Sequence, residues 1–291
     1  MPSLAVLDVP LDCSGACRGE ERGPAALRAA GLLGRIGARD AGGVDARIRD
    51  SSRDPGTGVI GAADVRRASS EVAARVGDIL AAGQRPLLLG GDCTLLLGVF
   101  SALEDGVGLW FVDGHADFFD GATSPTGEAA DMELAILTGH GPSGLVPDSE
   151  PLVEPADVVL LGHRSSDLHP DAALENGRID GRIHSLTAPE VAGDGPGKVG
   201  RQAAARLAGR AAWLHLDLDV LDAEALPAVT YPQAGGLGWD ELAALARPLV
   251  DAPGLVGISV ADFNPDRDPH GTQAGQVVEL LDRLLGAGPR G

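Results

Sequence analysis

Several residue types that help to classify a protein are scarce in this chain of 291 residues. Aromatic residues make up 3% of it, so the core must rest on Ala, Leu and Val, and the hydrophobic content of 44% supplies them amply. The cysteines are Cys13, Cys17 and Cys93, an odd and small number that argues against a disulfide framework and suits a reducing compartment. Cys13 and Cys17 could form half a metal site, but no second Cys or His pair with suitable spacing accompanies them.

Positive charge and long apolar runs are also scarce. The formal net charge is −19, and Lys198 is the single lysine. Phosphates would be repelled by such a chain, which argues against nucleic acid or an anionic membrane as a partner. The sequence has no run of about 18 apolar residues and no N-terminal segment with a basic start followed by an apolar stretch. We therefore predict a soluble, cytoplasmic protein.

Short apolar segments alternate with amphipathic helical patterns along the chain. This alternation is typical of a mostly parallel sheet covered by helices on both faces. We predict one doubly wound α/β domain over residues 1–291. The predicted strands are 3–9, 86–89, 109–112, 157–162, 183–186, the start of 211–222, and 255–260; the predicted helices are 25–33, 63–82, 94–103, 132–138, 197–207, 239–250 and 272–285.

An acidic segment follows one of the fully apolar strands. Residues 109–112 are predicted to be buried on both faces, and Asp113, His115 and Asp117 follow at alternate positions. An extended backbone would aim these three side chains the same way. Crowded at the end of a core strand, they would repel one another and lack solvent unless a cation lay among them. Alternatively, Asp113 caps a helix, His115 is a semi-buried histidine with its own partners, and Asp117 is solvated.

A second acidic segment repeats this pattern further along the chain. Residues 211–222 begin as an apolar strand and then place Asp217 and Asp219 two positions apart, although acidic residues are depleted in strand interiors. Together with Asp113, His115 and Asp117 they form an oxygen-rich set with one nitrogen, which suits Mn²⁺ better than the cages of structural zinc. Several carboxylates could bridge, so the sequence predicts a centre of two divalent ions.

The remaining candidates follow predicted strands in the same way. Cys93 comes after the strand at 86–89 and Asp262 after the strand at 255–260. Open parallel sheets bind their ligands outside the carboxyl ends of the strands, so the candidates are expected to meet at one edge. His163 and His215 lie on or beside core strands, and we predict them to be packing or supporting groups rather than ligands.

The same segments resemble the ureohydrolase family of arginases, agmatinases and formimidoylglutamases. Residues 90–94, GGDCT, are similar to the family's GGDHS element, and residues 113–117, DGHAD, to its DAHxD element. Residues 215–222, HLDLDVLD, resemble its SxDxDxxDP loop. Residues 19–33 resemble its N-terminal segment, G-x-x-x-GP followed by a helix, and residues 262–265, DFNP, its E-V-N-P tail.

The resemblance spans almost the whole chain in the right order. It implies an arginase-like fold, a single three-layer α/β/α sandwich, with a binuclear Mn²⁺ centre that hydrolyses a guanidino C–N bond of a small cationic substrate. A hydroxide bridging the two ions would attack, oriented by Asp117, and urea or a close analogue would be released. The family typically forms trimers or hexamers, so we expect a homo-oligomer. The implied metal ligands are Cys93, Asp113, His115, Asp117, Asp217 and Asp219.

Cys93 departs from the family pattern at a metal-binding position. The family has a histidine there, whereas a thiolate can also ligate a divalent ion but shifts the preference towards softer ions such as Zn²⁺. Either Cys93 is a ligand of an altered site, which we favour, or one metal is weakly bound or missing. The neighbouring Gly114, His215 and Ala223 replace the family's Ala, Ser and Pro.

The residues that face the substrate depart as well. Asp262 stands where the family has a glutamate that hydrogen-bonds the guanidinium. Residues 123–132 lack the histidine that arginases use as a proton shuttle; Asp131 or Glu128 could take that role, or neither could. Of residues 164–167, RSSD, only Asp167 matches the acidic residues that hold the substrate's α-amino group. The predicted catalytic residues are Asp117, Asp131 and Asp262, and the predicted substrate-binding residues are Glu128, Asp167 and Asp262.

The sequence therefore predicts a metal-dependent amidinohydrolase that acts on a small guanidino compound. A modified guanidine such as N-hydroxyarginine is one candidate substrate. A non-catalytic family member with a metal-binding or regulatory role is an alternative, favoured by Cys93 and the missing histidine. Hydrolysis of an amide is a second alternative, because related metal folds deacetylate.

Overall fold

Eight parallel strands form one sheet in the computed structural model, which describes residues 2–146, 151–167 and 170–286. The strands are β1 (Leu4–Val9), β2 (Arg39–Gly43), β3 (Arg85–Gly90), β4 (Gly108–Val112), β5 (Val158–His163), β6 (His184–Thr187), β7 (Ala212–Asp217) and β8 (Leu255–Ala261). Their order across the sheet is β2-β1-β3-β8-β7-β4-β5-β6, and every neighbouring pair is parallel.

Helices cover both faces of this sheet and create two separate cores. One core is formed against one face by the helices between residues 62 and 137, and the other core is formed against the opposite face by the helices between residues 23 and 36 and between residues 188 and 285. The helices are α1 (Gly23–Ala29), α2 (Leu32–Ile36), α3 (Ala62–Ala81), α4 (Leu95–Ala102), α5 (Glu133–Leu137), α6 (Pro170–Asn176), α7 (Ala188–Asp194), α8 (Pro196–Arg206), α9 (Trp239–Val250) and α10 (Thr272–Leu285). Among the described helices, none is long and apolar enough to span a bilayer.

Alternation of side chains along each strand explains why the central strands are largely apolar. In β4, Leu109 and Phe111 enter one core, whereas Trp110 and Val112 enter the other. A strand buried on both faces therefore needs a continuous apolar run. The predicted doubly wound sheet with helices on both faces is confirmed.

The elements that sequence reasoning missed have weak apolar signals. β2 has the sequence RDAGG and is mostly exposed at the edge of the sheet, so it carries neither an apolar run nor an alternating pattern. The short helices α6 and α7 were not predicted either. The strand predicted at the start of 211–222 ends at Asp217, where β7 gives way to a turn of 3-10 helix, Leu218–Val220.

A glycine turn after β3 brings the chain very close to another segment. A Cβ on Gly91 would lie 1.8 Å from the backbone oxygen of Leu11, and the amide of Gly91 donates to the carbonyl of Val9. Only glycine leaves room for this approach. The turn directs the next residues, Asp92 and Cys93, towards the carboxyl edge of the sheet.

We expect Gly91→Ala to destabilise the protein by about 1–3 kcal/mol, because the added methyl group overpacks against immovable backbone. The measurement is the free energy of unfolding from urea denaturation. Gly77→Ala is the matched control, since Gly77 lies within α3 and an added methyl group there would have no neighbouring atom within 4 Å; it should gain about 0.4–1 kcal/mol. Equal stability of the two variants would contradict the close approach at Gly91.

Candidate metal centre

Four neighbouring strands in the middle of the sheet deliver the candidate side chains. β3, β8, β7 and β4 lie side by side, and the residues that follow or end them converge at the carboxyl edge. Cys93 comes from β3, Asp262 from β8, Asp217 from β7 and Asp113 from β4. This is the edge at which open α/β sheets bind ligands.

After β4 the backbone turns instead of staying extended, and the acidic side chains reach the site through this turn. β4 ends at Val112, and Asp117 has a φ of 49°, a left-handed conformation that is uncommon for a residue with a Cβ. The predicted extended backbone with three side chains on one face is therefore wrong. A carboxylate from α6 holds the turn: Glu175 accepts hydrogen bonds from the amides of Ala116 (3.3 Å) and Phe118 (3.1 Å).

The segment after β7 also turns, and its two aspartates lie on different elements. Asp217 ends the strand and accepts a hydrogen bond from the amide of Asp219 at 2.8 Å, which starts the 3-10 turn. Asp219 in turn accepts from the amide of Gly114 at 3.0 Å and contacts Nδ1 of His115 at 2.8 Å. The prediction that both aspartates share one strand face is wrong, but both reach the same site.

Arg164 fixes this turn from the end of β5. Its side chain is 1% exposed and donates to the carbonyls of five residues of the two loops beside β7. A planar guanidinium offers five donors in a fixed arrangement, so Arg164 sets the position of Asp219 through its backbone. The acceptors are Asp219, Val220, Leu221, Gln233 and Ala234.

Overlapping groups of side chains at this edge could each hold a metal ion. All six sequence-predicted ligands belong to these groups, and within each group the potential ligand atoms lie within 4.8 Å of one another. Asp113 belongs to three of the groups, so it lies between the potential ion positions. The groups are Cys93, Asp113, His215 and Asp217; Cys93, Asp113, Asp117 and Glu133; Asp113, His115 and Asp219; and Asp217, Asp219 and Asp262.

Burial makes these carboxylates hard to ionise without a cation. Loss of solvent raises the pKa of Asp113, Asp117 and Asp217 well above the usual carboxyl range, and repulsion between neighbouring carboxylates raises it further. Asp219 is the exception: burial raises its pKa, but the His115 imidazole outweighs burial and lowers the pKa to about 2. Burial lowers the pKa of His115, yet Asp219 outweighs it and raises the pKa to about 9. A divalent ion among these groups would favour the ionised carboxylates and the neutral imidazole, because these are the forms that bind a metal.

Glu133 supports a metal site independently of the sequence motifs. Its side chain is fully buried, and within the part of the chain that the structure describes its carboxylate oxygens have no donor partner, only the neighbouring carboxyl group of Asp117. Burial raises the pKa of Glu133 well above its usual range. A buried carboxylate without a donor partner is costly, and here it faces Cys93, Asp113 and Asp117. The residues present therefore fit a bound divalent ion.

A cavity opens from these groups towards the surface. Its lining includes ten carboxylates and two basic side chains, Arg18 and His115. Arg18 is already occupied, since it pairs with both oxygens of Glu128 (2.9 and 2.8 Å) and with Glu20 at 3.0 Å, and its guanidinium stacks 5.3 Å from the ring of Tyr231. The lining carboxylates are Glu20, Asp92, Asp113, Asp117, Glu128, Asp131, Glu175, Asp217, Asp219 and Asp262.

A larger groove lies near the opposite edge of the sheet. Ala211 and Gly254, which precede β7 and β8, contribute to its lining together with Arg201, Arg210 and Asp251. Among the described residues, none of the groups suited to metal binding includes a residue of this groove. The cavity at the carboxyl edge is therefore the candidate active site.

The other sequence-predicted residues differ in whether they line the cavity. Asp131 and Asp262 line the cavity. One carboxylate oxygen of Asp131 has no partner among the described residues, while the other accepts from Ser124 (2.7 Å) and Thr126 (2.6 Å). Burial raises the pKa of Asp131 to about 6. Glu128 also lines the cavity but is bound by Arg18. Asp167 is exposed and does not line the cavity, so its predicted contact with a substrate has no support here.

Sequence reasoning missed several residues of the site. Glu133 had a usable signal, because it is the single acid within an otherwise apolar stretch, residues 132–137. His215 was predicted to be a packing residue, although it shares an apolar strand with Asp217. Glu175 and Arg18 carried no local signal, because their partners lie 57–59 and 110 residues away along the chain.

Comparison with known proteins identifies the family. The Arginase family model matches residues 2–286. The chain belongs to the arginase family. Arginase from Brevibacillus brevis is 29% identical over 296 residues, covering 98% of each chain. The solved arginase of Bacillus caldovelox superposes with a TM-score of 0.87 at 28% identity, covering 99% of each chain. Proclavaminate amidino hydrolase from Streptomyces clavuligerus, 23% identical, shares the fold with a TM-score of 0.70 over 98% of this chain and 91% of that one.

Family membership confirms the predicted class of enzyme. The protein is a ureohydrolase-type amidinohydrolase, and its activity is metal-dependent amidino hydrolysis. Arginase-family members act on small guanidino substrates and are generally dependent on two manganese ions. The alternatives of a non-catalytic protein and of an amide hydrolase are not favoured by these relatives.

We expect metal ions to stabilise this protein. Removal by a chelator should lower the midpoint of thermal unfolding, and Mn²⁺ added at about 100 times its Kd should restore about 2.7 kcal/mol of stability. Differential scanning calorimetry measures the effect. The double variant Asp117→Asn, Asp219→Asn should lose most of the increment, whereas Asp45→Asn, at an exposed position, should retain it. A Mn²⁺ increment unchanged in the double variant would place the ions elsewhere.

Proposed function

We propose that this enzyme hydrolyses the guanidino C–N bond of a small cationic compound, releases urea or a close analogue, and uses two divalent ions, at least one of them Mn²⁺. The observation that supports this most directly is the set of overlapping buried ligand groups that meet at Asp113. One ion would be held by Cys93 and Asp217 and the other by His115 and Asp219, with Asp113 contacting both; Asp117 would lie beside the first ion, in a group with Cys93 and Asp113. When bound, such ions lower the pKa of water and so supply a strong nucleophile at neutral pH.

Asp262 is proposed to hold the substrate's guanidinium. Its carboxylate is 7% exposed, lines the cavity and lies within reach of Asp217 and Asp219. The amide of Thr230 donates to it at 3.3 Å, and its own backbone has a φ of 65°. Strained backbone at a site residue persists where the surroundings enforce it. Asp262 would orient the guanidinium carbon towards the nucleophile by pairing with its N–H groups.

Asp131 is proposed to carry the proton to the leaving amine. Water attack on the guanidinium carbon removes its resonance stabilisation, and C–N cleavage then needs a proton on the departing nitrogen. Asp131 lines the cavity and no described donor engages one of its two oxygens, which is buried, whereas both oxygens of Glu128 are held by Arg18. Of the two candidates from the sequence, the geometry therefore favours Asp131.

The charge of the cavity indicates which substrates fit. Within the described lining, carboxylates greatly outnumber basic groups, and Arg18 is already paired with Glu128 and Glu20. A substrate carboxylate would therefore meet repulsion with no available guanidinium to bind it. Asp167, the matching residue for an α-amino group, is exposed outside the cavity. We infer that the substrate lacks an α-carboxylate.

Assembly of this protein into a homo-oligomer, expected from the resemblance to the family, stays a prediction.

A panel of guanidino compounds tests this function by urea release from Mn²⁺-loaded protein. Arginine and agmatine are a matched pair, because they differ only in the α-carboxylate. We expect kcat/KM for agmatine to exceed that for arginine by about tenfold or more, equivalent to about 1.4 kcal/mol. A preference for arginine would contradict the charge argument. Cleavage of acetylated polyamines without urea release from any guanidine would contradict the reaction itself.

We expect Asp131→Asn to lower kcat by about 10²–10⁴-fold, the usual contribution of a positioned proton donor, with a much smaller change in KM. Steady-state kinetics with the best guanidino substrate measures both constants. Asp78→Asn, on the exposed side of α3, is the control and should behave as the unchanged protein. If Asp131→Asn kept full kcat while Glu128→Gln lost it, the roles of the two carboxylates would be reversed.

A further inference from the structure

A buried histidine from β7 contacts the cysteine of the metal centre. His215 is fully buried, and its Nε2 lies 3.3 Å from Sγ of Cys93. The thiol of Cys93 also donates a hydrogen bond to Asp217 and lies 3.7 Å from Oδ2 of Asp113. The four side chains together form one of the groups whose ligand atoms are mutually within 4.8 Å. The imidazole therefore reaches into the metal centre rather than away from it.

The other nitrogen of His215 has a partner that suits metal ligation. Nδ1 lies 2.8 Å from Oγ of Ser259, which is the residue paired with His215 across β7 and β8. Oγ of Ser259 already accepts a hydrogen bond from Nε1 of Trp213 at 3.0 Å, and its second lone pair can accept from Nδ1 of His215. This tautomer leaves the lone pair of Nε2 directed at Cys93. Metal-ligating histidines commonly donate their other N–H in this way.

The thiol of Cys93 and the imidazole of His215 stand at two positions where the family has other residue types. By resemblance to the family, a histidine is expected at Cys93 and a serine at His215. β8 separates β3 from β7 in the sheet, yet residues from both strands meet at one point. The imidazole missing after β3 is thus matched by an additional imidazole on β7.

We propose that His215 is a metal ligand through Nε2 and that, with Cys93, Asp113 and Asp217, it forms a site of one thiolate, one imidazole and two carboxylates. This inference rests on the proposed metal centre and assigns its chain-specific ligands. On ligation Cys93 loses its proton to solvent.

The proposed ligand set has a consequence for metal selectivity. Thiolate and imidazole favour softer ions such as Zn²⁺ and Co²⁺, whereas the group of Asp113, His115 and Asp219 is oxygen-rich and suits Mn²⁺. The centre is therefore a mixed one, with a softer ion at Cys93 and His215 and Mn²⁺ at His115. Elemental analysis of protein supplied with one equivalent of Zn²⁺ and an excess of Mn²⁺ should find about one of each, because the group with the thiolate takes the Zn²⁺ first.

Titration of the metal-free protein with Co²⁺ tests the ligands by absorption, without using activity. The first equivalent should produce a near-ultraviolet thiolate charge-transfer band and the intense visible bands of a four-coordinate ion. Cys93→Ser should lose the charge-transfer band. His215→Ser should retain it, lose visible intensity and bind the first Co²⁺ at least about tenfold more weakly. Ser259→Ala should weaken binding by about 10–100-fold, the usual effect of removing such a supporting hydrogen bond.

Two further variants separate ligation from packing. The exchange Cys93→His with His215→Ser returns the imidazole to β3 and should recover tight Co²⁺ binding without a thiolate band. His163→Asn removes another buried histidine, which belongs to none of the described ligand groups, and should titrate as the unchanged protein.

The outcomes distinguish this inference from the proposed function. Binding of Co²⁺ with a thiolate band in both the unchanged protein and His215→Ser, at equal affinity, would overturn the role of His215 alone. Failure of the unchanged protein to bind any divalent ion would overturn both. If His215→Ser does not fold by circular dichroism, crystals of the unchanged protein with Zn²⁺ decide: Nε2 of His215 at about 2.0–2.1 Å from the ion supports the ligand, and a longer separation overturns it.

Discussion

The concentration of buried carboxylates at one edge of the sheet is the constraint on which the rest of the structure depends. Asp113, Asp117, Glu133 and Asp217 are each at most 5% exposed, and their ligand atoms come close enough for a single ion to bridge several of them. Removing such charges from water is unfavourable unless cations or hydrogen-bond donors compensate. The sheet keeps them there because four apolar strands end at the same place. A metal centre is the arrangement that reconciles their burial with their charge.

Two arginines show how the surrounding chain adapts to this negative charge. Arg164 uses its donors on backbone carbonyls around Asp219 and so positions a loop rather than neutralising a carboxylate directly. Arg18 does the opposite, because it binds Glu128 in a bidentate pair and also contacts Glu20. One guanidinium therefore holds the loop that carries Asp219, and the other pairs with carboxylates of the cavity lining. Both guanidinium groups are thus engaged within the protein itself.

The central strands, and the six motif residues that the fold brings together at one edge of the sheet, have local signals in the sequence. Continuous apolar runs such as residues 109–112 identify strands buried on both faces, and acids directly after them are conspicuous. The path of the chain through the site was not predictable in this way. Asp117 adopts a positive φ, and the turn that requires it is held by Glu175, a residue from α6. Such conformations depend on contacts between segments that are distant in the sequence. Neither hydrophobic periodicity nor a short motif predicts these contacts.

The carboxyl edge of the sheet also explains how ligand identity can change while the centre is kept. A ligand has to reach a point in space, and side chains from β3, β7 and β4 all reach the region around Asp113. Cys93 and His215 come from strands that are not neighbours, with Ser259 of β8 between them supporting the imidazole. An exchange of donor types between such positions alters which ion is preferred but leaves the carboxylates and their spacing unchanged. Because the strands converge at this edge, two substitutions would be enough to change the preferred ion while the carboxylates stay in place.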